Sequence, residues 1–527
     1  MSFRWVVVLF ALICLSLTFR VAAAPTDQIL EYGSTKDIRD INPHLYSGEM
    51  AAQNMVFEPL VLTTSQGLVP HLAKSWEISP DGRTYTFHLR DDVTFTDGEP
   101  FDAQAVKKNI DAVIDNYERH AWLELVRQID AVNVIDTHTV ELKLKNPYYP
   151  TLTELSLTRP FRFISPTAFI EGATKNGVSS YAGTGPWVLK NHQRNQRAQF
   201  ERNPNYWGES PALAGVNWNV IPDRQTLLLA LQKGDIQLIF GADGDMLSMD
   251  AFEALQADGK LRTKMSDPIA SRAIVLNSAR PVTSDVNVRR ALSHAVDKEG
   301  IALGVMGGSE TVAQTLMARN VPYSDVDQQE YDYDLELAQQ ILEDSGWVLP
   351  AGQTVRQKDG QLLSLVFSYN VANAAEKDIA ELIQDDFKKI GVKVDLLGEE
   401  KQAYLDRQRT GDFDLQYSLS WGTPYDPASF VSSFRIPAHA DYQGQKGLPN
   451  KVQLDAMIDE LLITPDEEKR KALYAELFST LAQEAVYIPL TYSRTKAIHQ
   501  KALENVGFNP SQYEVPFEKM TFSASGH

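Results

Sequence analysis

The segment best suited to chemistry spans residues 421–442. It begins Trp421-Gly-Thr-Pro-Tyr425-Asp-Pro and, after a short mixed run, continues Arg435-Ile-Pro-Ala-His439-Ala-Asp-Tyr442. Trp421 and Tyr425 stand beside Pro424 and Pro427, and loops of this kind carry recognition more often than cores do. A neutral imidazole such as that of His439 is a common metal ligand, but one histidine does not make a metal site. The chain has ten histidines, scattered, with no His-x3-His or His-Glu-x-x-His pair. Any metal held by His439 must therefore bring its other donors with it. On the residues alone, a surface or capping histidine in a proline-containing loop is the preferred reading.

Catalytic constellations are missing. Acids are plentiful, as in Asp91-Asp92 and Glu399-Glu400, but adjacent acids without a paired base are ordinary solvated surface. No Gly-x-Ser-x-Gly, phosphate-binding loop or Gly-x-Gly-x-x-Gly occurs in the chain. The expectation is a protein that is not an enzyme and needs no catalytic cofactor.

The elements that must position the 421–442 segment change character along the chain. Ser79-Pro-Asp-Gly82-Arg83 lies between residues 73–78 and the alternating run 84–89, which predicts a hairpin, and Asp97-Gly98 marks another tight turn. Residues 102–114 read as an amphipathic helix capped by Asp102. Later helices are predicted over 285–296, 335–345 and 375–390. In the last of these, Ile379, Leu382, Ile383, Phe387 and Ile390 share one face. With strand-like runs at 363–369 and 392–397, that helix forms a parallel crossover unit. No repeat or long linker divides the chain, so several crossings between domains are expected.

The ends set the compartment. Arg4, the apolar run 5–19 and Ala22-Ala23-Ala24 before Pro25 read as a secretory signal peptide (1–24) cleaved near Ala24. The only cysteine, Cys14, lies inside it, and Ile13 before it argues against a lipidation site, so the mature chain would hold no disulfide or thiolate metal site. At 527 residues, two or more domains are expected. A net charge of −19 disfavours nucleic acid as a partner and reads as a solvated surface.

Several segments, taken in order, resemble the peptide/nickel/opine family of solute-binding proteins. They are Pro70-His-Leu-Ala-Lys-Ser-Trp76, Ser79-Pro-Asp-Gly82, Phe87-His-Leu-Arg90, Phe95-Thr-Asp-Gly98, Gly183-Thr-Gly-Pro-Trp187, Arg202-Asn-Pro-Asn-Tyr-Trp207 and Val288-Arg-Arg-Ala-Leu292. The resemblance implies a two-lobed α/β fold of the Venus-flytrap type, with mixed sheets and flanking helices. Lobe I would take residues 25–268 and 493–527, with an extra subdomain, and lobe II residues 269–492. It further implies a monomer in the periplasm that serves an inner-membrane ABC permease.

Arg119-His-Ala-Trp122-Leu-Glu-Leu, Thr158-Arg159-Pro-Phe-Arg-Phe163 and the 421–442 stretch resemble the nickel-binding members in particular. By that resemblance the transported ligand is a nickel(II) chelate, such as nickel with two L-histidines, and His439 ligates the metal. Arg119 and Arg159 would face the chelator's carboxylates, as planar guanidiniums do. Trp122, Trp421 and Tyr425 would wall the pocket, and Tyr46, Met50 and Tyr513 would line it. Met50 is more a gap filler than a ligand, since thioethers suit softer ions. Two departures bear on the chelator: the chain is shorter between Tyr46 and Met50, and Tyr513 replaces a threonine. Trp76, Trp187 and Trp207 are assigned to the core. The alternative is a di- or oligopeptide binder, which would use an acidic residue for the peptide amine in place of His439.

Overall fold

The structure, a computed structural model, describes residues 27–241, 249–371 and 373–523. The signal-peptide reading, with Cys14 and the cleavage near Ala24, lies outside the described residues. Two large sheets organise the chain. A seven-stranded sheet runs Trp187–Gln193, Arg197–Arg202, Gly215–Val220, Ile29–Ser34, Leu238–Gly241, Lys496–His499, Arg262–Met265. A six-stranded sheet runs Thr311–Val312, Tyr487–Ser493, Ala270–Leu276, Leu415–Leu419, Ser364–Asn370, Lys393–Glu399. The chain passes from the first sheet to the second between Met265 and Ala270 and returns between Ser493 and Lys496.

The central strand Ala270–Leu276 is buried at every residue, as expected of a strand covered on both faces. Beyond Leu415–Leu419, at the sheet's edge, Ser364–Asn370 and Lys393–Glu399 pair in parallel, and helix Ala374–Lys389 connects them. This is the crossover unit read from the sequence. The helix buries Ile379, Ile383 and Phe387 at a spacing of one turn, with Ile390 just beyond its end. Leu382 departs from expectation: it is 40% exposed, because the buried stripe follows the i, i+4 line and leaves the i+3 position at its rim. The chain leaves this helix through Gly391 at φ +81°, a left-handed conformation that favours glycine.

A third unit carries one side of the site. Strands Ala73–Ile78, Thr84–Leu89, Thr139–Leu144 and Ile129–Asp136 form an antiparallel sheet in that order. Its predicted hairpin is present, and Thr84–Leu89 alternates strictly between half-buried and buried. Helix Ala103–Asp115 packs over it, and the Asp102 side chain accepts from the Ala105 N–H as the predicted cap. One continuous apolar cluster joins this unit, through Leu125, Tyr148 and Leu155, to Phe430, Phe434, Leu454 and Leu477. The two parts thus share a packed seam. Of the tryptophans assigned to the core, Trp187 is fully buried. Trp76 and Trp207 are only half-buried; Trp207 lies between the Arg90 guanidinium and the Glu58 carboxylate that takes its N–H. No described helix is long and apolar enough to cross a membrane.

Candidate ligand-binding site

The 421–442 segment follows the strand Leu415–Leu419 and is fixed by a carboxylate. Asp426 accepts from Ser420 Oγ at 2.6 Å, Gly422 N–H at 2.8 Å and Trp421 N–H at 3.2 Å. Burial pushes this carboxyl up to about 6 against the pull of those three bonds. Gly422 adopts φ +74°, and the bonds before Pro424 and Pro427 are cis. This knot presents the Trp421 ring at the seam. Gln512 secures it by donating to the Trp421 carbonyl at 3.0 Å.

Aromatic rings then run continuously across the seam. Trp421 meets Trp122 edge-on at 5.8 Å, Tyr425 at 6.1 Å and Phe430 at 5.9 Å, and meets the His439 ring at a tilt at 5.9 Å. Trp122 meets Tyr46 at 5.9 Å, and Tyr425 meets Tyr513 at 5.8 Å. Met50 joins through its sulfur, 3.9 Å from Tyr425 Oη. Edge-on pairs of this kind are favoured by the ring quadrupoles.

The charged groups divide by side. The Arg159 guanidinium carbon lies 5.1 Å from the Tyr46 ring centre and that of Arg119 5.4 Å. Arg159 also donates to the Gly48 carbonyl at 3.0 Å. Gly48 itself packs against the Asp40–Ile41 backbone, where an added Cβ would lie 2.3 Å from the Asp40 carbonyl oxygen. Among the described residues neither arginine forms an ion pair with a carboxylate. Both remain available to carboxylates on a ligand. Arg119 is exposed at the end of the short helix Tyr117–His120, while Arg159 is half-buried and burial lowers its pKa.

His439 caps the helix Ala440–Gln445 and is half-buried against Trp421. Burial lowers its pKa, opposed by the nearby Asp441 carboxylate. Asp441 is itself buried and raised, and it accepts from Ser418 Oγ at 2.7 Å and Tyr487 Oη at 3.0 Å. Among the described residues no three His, Cys, Asp or Glu side chains are grouped to hold a metal ion. A metal at His439 would draw its remaining donors from a ligand.

The structure therefore brings all nine sequence-selected residues into one cluster: Tyr46, Met50, Arg119, Trp122, Arg159, Trp421, Tyr425, His439 and Tyr513. Four polar residues behind it were missed. Asp426 and Asp441 sit inside the selected segment. His120 lies between Arg119 and Trp122, fully buried, its Nδ1 2.8 Å from Tyr46 Oη. Glu154 is buried at the seam, accepting from Tyr148 Oη at 2.7 Å, the Leu125 N–H at 2.9 Å and Ser429 Oγ at 3.3 Å. Burial pushes it up to about 7. For His120 the quoted Arg-His-Ala-Trp string was a usable signal; for Glu154 there was none.

A two-lobed α/β frame with a ring-lined, arginine-bearing seam is the architecture of a solute-binding protein. Residues 67–442 match the family model described as bacterial extracellular solute-binding proteins, family 5, and the chain belongs to that family. It is 43% identical over 514 residues to the nickel-binding periplasmic protein of Escherichia coli (strain K12), covering 97% of this chain and 98% of that one. It is 26% identical to the dipeptide-binding protein of the same organism, over 90% of this chain and 91% of the relative. Among solved structures, NikA from Brucella suis in complex with Fe(III)-EDTA superposes with a TM-score of 0.92 at 44% identity. That match covers 94% of this chain and all of the other.

Proposed function

We propose that this protein captures nickel(II) already wrapped in a small chelator, such as two L-histidines, and delivers it to the inner-membrane permease of an ABC importer. In this reading His439 supplies one donor to the metal, and the chelator supplies the others. Arg119 and Arg159 take the chelator's carboxylates, and Trp122, Trp421 and Tyr425 cover its apolar parts, with Tyr46, Met50 and Tyr513 lining the pocket. Residues 25–268 with 493–527 form one lobe and 269–492 the other, and a ligand touching both stabilises their closure. The protein acts as a monomer in the periplasm after its leader is removed.

One observation supports this most: the His439 imidazole and two arginines without carboxylate partners meet around a single ring cluster, in a chain 43% identical to a nickel-binding periplasmic protein. The relative with bound Fe(III)-EDTA is a second instance of a metal held inside a polycarboxylate. Calorimetric titration with nickel alone, nickel with L-histidine, and small peptides tests the reading. Saturable binding is expected only for nickel with L-histidine. Tight binding of peptides without metal would replace it with peptide capture.

A further inference from the structure

The buried His120 is not used by the scheme above, although it touches the centre of the site. It is 0% exposed, and an apolar side chain would fill such a place without desolvating an imidazole. What it adds is a nitrogen 2.8 Å from Tyr46 Oη. The Tyr46 oxygen already accepts the Trp122 Nε1–H at 2.8 Å. A phenol has one hydrogen to give and two lone pairs to fill, so the tautomer of His120 decides what the hydroxyl can do.

Two neutral forms are available. If Nδ1 accepts the tyrosine hydrogen, the ring's own proton sits on Nε2, which has no hydrogen-bond partner among the described residues. That would bury an N–H without an acceptor. If instead Nδ1 carries the proton, Nε2 is left as a bare lone pair, the less costly of the two unmet groups. The charged form is disfavoured, because burial and the adjacent Arg119 charge hold His120 down to about 4.

We infer that His120 is a positioning residue: it and Trp122 both donate to the Tyr46 oxygen, leaving the Tyr46 hydroxyl hydrogen to donate to a carboxylate of the bound chelator. The placement suits this. The Tyr46 ring lies within 5.1 and 5.4 Å of the two guanidinium carbons, so its hydroxyl belongs to the same carboxylate-facing side. A hydroxyl that accepts two hydrogen bonds is polarised toward donating a third. The inference rests on the proposed function for its ligand and on the hydrogen-bond count for its geometry.

The test has a ligand-free arm and a binding arm. In protein labelled with 15N-histidine, the His120 ring, assigned by its loss in His120→Gln, is expected to be protonated at Nδ1 near neutral pH. In calorimetry with nickel and two equivalents of L-histidine, Tyr46→Phe and His120→Leu should each weaken binding about tenfold. The double variant should bind no worse than Tyr46→Phe, and His120→Gln, whose amide can donate, should restore most of the loss. A ring protonated at Nε2, or losses that add in the double variant, would overturn the inference. Protonation at Nδ1 in a protein that binds no nickel chelate would overturn the functional reading while leaving the arrangement of Tyr46 standing.

Discussion

Residues 46–159 bring two guanidiniums without a carboxylate partner to the ring cluster, whereas residues 421–441 bring one imidazole backed by the buried carboxylates Asp426 and Asp441. On the first side the Arg119 guanidinium is exposed and that of Arg159 half-buried. On the second, the acids are turned inward, where Asp426 ties the backbone of Trp421 and Gly422 and Asp441 anchors to Ser418 and Tyr487. The difference teaches how one ligand can be read twice. In the proposed reading carboxylates meet the arginine side and a cation the imidazole side, so a molecule carrying both would touch both. Neither side alone is distinctive, since single histidines and unpaired arginines are common at surfaces.

Substitutions can break this division one side at a time. The largest effect belongs to His439→Ala, which would remove the donor proposed for the metal. Nickel with L-histidine should bind roughly 100-fold more weakly in calorimetry, with the thermal midpoint unchanged because the ring is half-buried and makes no side-chain hydrogen bond as a helix cap. Arg159→Ala should follow, at about 10- to 100-fold, for the loss of a charge-assisted contact, and Arg159→Lys should recover only part of it. Arg119→Ala should cost a few-fold at most, since that side chain is exposed and screened. The Arg119 effect should shrink further as salt is raised.

The smallest effect on binding, but an informative one for the seam between the two sides, concerns Glu154. Its pKa in the folded protein, about 7, stands above the ordinary 4.5 because of burial. The folded state therefore keeps a proton that the unfolded chain releases, and the stability this gives, complete below about pH 4.5, is lost as pH rises toward 7. Thermal or denaturant unfolding of Glu154→Gln should show the variant gaining on wild type by about 3 kcal/mol between pH 4.5 and 8. A constant difference across that range would mean the carboxyl is not protonated at the closed seam.

How much of this was readable beforehand depended on how local each signal was. The hairpin at 73–89, the Asp102 cap and the parallel unit around helix Ala374–Lys389 were legible, because turn residues, caps and periodicity act over a few positions. Leu382 was misplaced because periodicity gives the centre of a buried stripe better than its width. Within the site, the family resemblance supplied the nine clustered residues. It gave no view of the bonds that hold Glu154 and His120 in place, which join distant parts of the chain. Ser429 and Glu154 are 275 positions apart and Tyr46 and His120 74 apart. Such pairs are made by the fold and leave no spacing to read.

The claim that the metal arrives wrapped and gains one donor from the protein is tested most directly at the metal itself. Nickel K-edge X-ray absorption of the nickel–L-histidine complex, free and bound to the protein, should show a changed first coordination shell on binding. The change should include an imidazole from the chain and be absent in His439→Ala at saturating ligand. Identical spectra for the free complex, the wild-type complex and the variant complex would contradict the account, because His439 would then touch the ligand, if at all, only from outside the metal's shell.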